Sequence, residues 1–75
     1  MTRYRNISGN SGVVAYEIHP RSVIVQFQDG EKYEYTVGSA GAEAVRMLKQ
    51  LALAGQGLSG YIAQHVRDAY ARKFR

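Results

Sequence analysis

Few side chains in this sequence carry reactive chemistry, and their spacing decides what they can do. "GQGLSG" (residues 55–60) has the spacing G-x-G-x-x-G, which in a strand–loop–helix setting cradles a dinucleotide pyrophosphate. Helix-forming residues precede it here instead of a strand. The motif therefore reads as a helix stop at Gly55, a flexible loop and a cap at Ser59. The amides near Ser59, Gly60 and Tyr61 then open a helix, a place where anions bind. His65 and Asp68 stand three apart on one helix, within reach of each other, but no nucleophile is tied to them. His19 precedes Pro20 in a turn and has no partners at metal-ligand spacing. Glu17, Glu31 and Glu34 can be paired on paper, yet on the solvent side of a sheet they lack the burial that tunes an acid or a base. These residues give no catalytic set, no metal site and no cofactor motif, so the expectation is a protein that is not an enzyme.

Charge is the stronger signal. Of 75 residues, ten are Lys or Arg and six are Asp or Glu, and the excess lies at the ends. Arg3 and Arg5 stand in residues 1–10 without an acid, and Arg67, Arg72, Lys73 and Arg75 stand near the other end against Asp68 alone. The stretch 11–66 holds four bases and five acids. If the two ends meet, six cations form one patch able to displace the counterions of a polyanion. The alternative is a solubilised helix end with cations suited to the helix dipole.

The elements that must hold these residues follow from periodicity. Residues 1–12 are polar with Gly9 and Gly12 and offer only Tyr4 and Ile7 as apolar anchors; a flexible arm that docks at Ile7 is expected. "VVAYEI" (13–18), "VIVQF" (23–27) and "EKYEYTV" (31–37) read as strands. From Ala42 the composition turns to Ala, Leu, Met, Lys and Glu, and Val45, Leu48, Leu51 and Ala52 make one stripe of a helix to Ala54. A second helix is expected from Ser59 to Phe74, with Ile62, Val66, Ala69 and Tyr70 inward.

Strand register is fixed by where Tyr33 and Tyr35 must point. A two-residue turn at Asp29-Gly30 would put them opposite the row Val23, Val25, Phe27. A three-residue turn, Gln28-Asp29-Gly30, pairs Val25 with Tyr33 and Val23 with Tyr35 and gathers the apolar residues on one side. A loop His19–Ser22 then pairs Ile18 with Val23, Tyr16 with Val25 and Val14 with Phe27. The expected fold is α+β: a three-stranded antiparallel meander followed by two helices on one face, in a single domain over 13–75. Tyr33 and Tyr35 belong to its core, with their hydroxyls at a rim or a partner. The open face carries no aromatic in this arrangement. Val13 and Ile24 fall on it, a reason to expect a protein partner or a homo-oligomer.

The chain has no cysteine, hence no disulfide and no cysteine zinc site. It has no apolar run of membrane length, and "MTRYRNISGN" lacks the apolar centre of a secretory signal. A cytoplasmic protein without membrane contact is expected.

From about Ile7 to Tyr70 the sequence resembles the KTSC domain family, a module at the C-terminus of some lysyl-tRNA synthetases that also occurs as short stand-alone bacterial proteins. The matching residues are Ser8, Ser11, Tyr16, Phe27 with Gly30, and the Tyr33-Glu34-Tyr35 triplet; later come Ala54, Gly57, Tyr61, Val66, Arg67 and Tyr70. Val37-Gly38 stands where the family has Val-Pro, and Ala63 where it often has Asn. The family's attachment to a tRNA enzyme implies RNA as the partner, in line with the basic ends. The expectation is a weak RNA-binding accessory module using Arg3, Arg5, Arg67, Arg72, Lys73 and Arg75 with the Ser59–Tyr61 turn. The alternative is a protein-interaction module without a nucleic-acid role.

Overall fold

Five short strands, each too narrow to bury a face alone, pair in sequence order into one antiparallel sheet. The computed structural model describes residues 1–75. The strands are β1 (Thr2–Arg3), β2 (Val13–His19), β3 (Ser22–Phe27), β4 (Lys32–Thr36) and β5 (Arg72–Phe74). Between β4 and β5 come α1 (Val37–Ala40), α2 (Ala42–Ala54) and α3 (Leu58–Tyr61), which runs on as a π-helical turn, Ile62–Val66. The expected three-stranded meander is therefore the middle of a five-stranded sheet, with a strand added at each edge.

The central register is set by the apolar pattern. Val25 pairs with Tyr33 and Val23 with Tyr35. Gly30 closes the turn in the left-handed region at φ 90°, and its N–H donates to the Phe27 carbonyl. Ile18 pairs with Val23 and Tyr16 with Val25, but His19 pairs with Ser22, so the loop tightens to Pro20-Arg21. At the far end of β2 the expected pairing shifts by one. A bulge between Val13 and Ala15 lets Val13 rather than Val14 oppose Phe27. Val13 is buried and Val14 exposed.

β1 brings Tyr4 into the core, where it is 3 % exposed. The segment expected to dock at Ile7 is thus anchored at Tyr4, while Ile7 lies 60 % exposed. The core gathers Tyr4, Val13, Tyr16, Val23, Val25 and Tyr35 from the sheet against Leu48, Ala52, Leu58, Ile62 and Val66 from the helices. Val13 and Ile24 are both buried within the chain, which removes the stated reason for a partner there.

α2 has the bounds expected of it and stops at Gly55, φ 79°, where a Cβ would sit 2.9 Å from the Arg5 Cβ. The third strand ends at Thr36 and not at Val37, which opens the short helix α1; Thr36 and Ser39 cap it reciprocally. The second helix departs most from expectation. Leu58 rather than Ser59 begins it after Gly57, and it ends at Val66, not Phe74. The Arg67 N–H closes the π turn on the Ile62 carbonyl at 2.7 Å, and Arg67 itself sits at φ 26°. The chain reverses there and pairs as β5 along β4, Lys32 with Phe74 and Glu34 with Arg72. No helix is long and apolar enough to cross a membrane.

Candidate functional site

The sheet places chemistry on both its faces, because successive residues of each strand alternate between them. On the helix side, Tyr33 and Tyr35 of β4 meet Phe27 of β3 and Tyr70 of the segment after Arg67. Ring centroids are 5.5 Å apart for Phe27–Tyr33, 5.0 Å for Tyr33–Tyr70 and 6.3 Å for Tyr35–Tyr70, all edge-to-face. They wall a cleft of about 420 Å³, closed on the helix side by Ile62 and Ala63. Four charged residues line it as well: Arg67 and Lys73, Asp29 and Asp68.

Tyr35 is the floor of this cleft at 1 % exposure, and its hydroxyl donates to the Arg67 carbonyl at 3.2 Å. Burial first, then the neighbouring Tyr33, Tyr70 and Asp68, pushes its phenol up to about 12. The Tyr33 phenol beside Lys73, with help from Glu31, holds that ammonium above its usual range. Lys73 lies 5.5 Å from the Tyr33 ring centroid and 3.5 Å from Glu31. The Arg67 and Asp68 side chains, by contrast, engage no other side chain by hydrogen bond or ion pair.

On the other face, strand register draws a straight row across all five strands: Arg3, Ala15, Gln26, Lys32, Phe74. With strands about 4.8 Å apart, the row is roughly 19 Å long. Lys32 lies 5.8 Å and Arg72 4.3 Å from the centroid of the Phe74 ring. The open face therefore does carry an aromatic, half-buried at its edge, because residues 72–74 are strand and not helix. Beside this row runs a second one, Glu17, Ile24, Glu34, Arg72, in which Arg72 pairs with Glu34 at 2.6 Å.

The six cations read from the sequence do not form one patch. Arg3 lies on the β1 edge, and Arg72 and Lys73 on the β5 edge. Arg5 packs on Gly55 and donates to the Leu53 carbonyl. Lys73 and Arg75 both reach Glu31, Arg75 at 2.9 Å. At the Ser59–Tyr61 turn, Tyr61 N–H returns to the Gly57 carbonyl, and the adjoining Leu58 N–H is taken by the Tyr4 hydroxyl. His65 stacks on Tyr61 at 4.5 Å and does not meet Asp68. No group of three or more His, Cys, Asp or Glu is placed to hold a metal ion.

Sequence reasoning missed Lys32, Asp29 and Asp68 as site residues. Lys32 alternates with Tyr33 and so falls on the open face, but the ring it meets there, Phe74, reads from the sequence as helix. Compared with protein-family models, curated proteins and solved structures, the chain matches none.

Proposed function

We propose that this chain is a small, non-catalytic accessory module that binds single-stranded RNA weakly across the open face of its sheet, in the cytoplasm. One observation carries the reading: the cross-strand row Arg3–Ala15–Gln26–Lys32–Phe74 puts two unpaired cations and an aromatic ring on one line. Cations along a line follow a phosphate backbone, and a ring at its end takes a base by stacking, which is how sequence-tolerant single-strand binders work. Lys32 thereby joins the two basic ends that lie on opposite edges. Arg72, held by Glu34, contributes once that exposed pair exchanges its carboxylate for a phosphate. The choice of RNA rests on the resemblance to the KTSC family, which belongs to the same proposal.

The test is an anisotropy titration of a short labelled single-stranded RNA over a range of salt. Two to three phosphate contacts give a slope of log K against log salt of about −1.4 to −2.1. Lys32→Ala should flatten that slope by about 0.7, and Phe74→Ala should weaken binding at every salt by roughly fivefold or more. Absence of binding at low salt, or binding that ignores both substitutions, overturns the proposal, and capture of a protein partner at the same face would replace it.

A further inference from the structure

We infer that the aromatic cleft on the helix side is a separate binding site for a purine nucleoside, guanosine before adenosine. The inference stands independently of RNA binding across the open face, since the two sites use opposite sides of β4. At about 420 Å³ the cleft falls near the lower end of the range that small-molecule sites occupy. It has room for one nucleoside-sized ligand.

Its lining selects the chemistry. Phe27, Tyr33 and Tyr70 stand edge-to-face in the opening, so a flat ring that enters finds aromatic surface to stack on. The four charges sum to zero, two of each sign. A ligand with net charge gains from one pair and loses to the other. A neutral ring with hydrogen-bond donors on one edge and acceptors on another gains from both. Arg67 and Asp68 are the two groups free to supply this, since Lys73 is engaged by Glu31 and Asp29 accepts from the Glu31 N–H. A guanidinium reads the O6 and N7 acceptors of guanine in bidentate fashion, and a carboxylate accepts from ring and amino N–H groups. Adenine presents a donor where guanine has O6, so it satisfies the arginine less well.

The backbone adds a second observation. Arg67 is one of two non-glycine residues with positive φ, at 26°, and it follows directly on a π-helical turn. Strained residues and π turns of this kind gather at ligand sites, where they fix the direction of a side chain. Here the distortion brings Arg67 and Asp68 to the cleft instead of continuing the helix into solvent, and the Tyr35 hydroxyl holds the Arg67 carbonyl in place.

The experiment is an NMR titration of the full chain, labelled in its tyrosine rings, with guanosine, adenosine, cytidine, uridine and free tyrosine in turn. Guanosine should shift the Tyr33 and Tyr70 rings in a saturable way, with adenosine at least about fivefold weaker, and Asp68→Asn should weaken guanosine by about tenfold while leaving the spectrum otherwise native. Phe74→Ala should leave guanosine binding unchanged, and Asp68→Asn should leave the salt slope of RNA binding unchanged. Competition by an RNA ending in guanine, where poly-uridine does not compete, would identify a strand-borne base as the source; absence of competition would identify the free nucleoside. Equal shifts with adenosine, a stronger response to free tyrosine, or no ring shifts at all would each overturn the inference.

Discussion

Along β4, Lys32 and Glu34 face one side of the sheet and Tyr33 and Tyr35 face the other, and the two sides hold their polar groups differently. On the open side Arg3 and Lys32 have no carboxylate partner, and Arg72 reaches Glu34 from the sheet edge with its own side chain 59 % exposed, an arrangement that contributes little to stability. On the helix side the Tyr35 phenol is fixed by burial and one hydrogen bond to a strained backbone. The open face is thus chemically available at small structural cost, whereas the cleft is bound into the fold. A single strand thus presents charge through its even-numbered residues and aromatic rings through its odd-numbered ones.

The largest effect that would sharpen this contrast is on folding. Tyr35→Ala should destabilise by about 3–5 kcal/mol, since it leaves a cavity beneath the cleft, while Phe74→Ala should cost about 1 kcal/mol or less. Denaturant melts of the two variants measure the difference directly; equal losses would mean that the open face is as structural as the cleft.

Next comes pH. A phenol whose pKa is raised on folding keeps its proton longer in the folded state than in the unfolded one. Its contribution is complete below about pH 10 and is lost as pH climbs towards about 12. Over that window stability should fall by on the order of 2–3 kcal/mol, and Tyr35→Phe should flatten the decline. A decline that persists in Tyr35→Phe would assign the titration elsewhere.

Smaller still is the effect of relaxing the backbone. Arg67→Gly removes the positive-φ strain but adds chain entropy to the unfolded state, leaving a net gain of about 1 kcal/mol, or roughly 4–8 °C in Tm. The same substitution should abolish guanosine binding at the cleft and spare RNA binding at the open face. A lower Tm would show that Arg67 supports the fold through its side chain instead.

The parts of this architecture that could be read from residue types are those with enough residues to show a period. The β3–β4 register was legible because Val23, Val25, Tyr33 and Tyr35 fit one face only if Gly30 closes a three-residue turn. α2 was legible from its stripe and from Gly55. The edge strands were not: β1 has two residues and β5 three, too few for alternation to register. Residues 67–75 are rich in Arg, Ala and Lys and read as helix, and what ends the helix is a π turn and an arginine at φ 26°, ψ −96°, with no glycine or proline to announce it. A helix over these residues takes Phe74 off the sheet, so the row that Phe74 completes does not show in the sequence. The cleft was half legible, since its tyrosines were assigned correctly to the inner side but its charges come from a turn and a reversal.

The bulge in β2 has a bearing on how the gene tolerates length changes. Val14 is the surplus residue between Val13 and Ala15, which already oppose the consecutive partners Phe27 and Gln26. Deleting Val14 should therefore leave the rest of β2 in phase with β3 at the cost of one bond on the β1 side, from the Tyr4 N–H to the Val14 carbonyl, whereas loss of any one residue from Tyr16 to Ile18 throws the strand out of frame with its neighbour. The strand carries a position where a codon can be dropped and the β2–β3 frame kept.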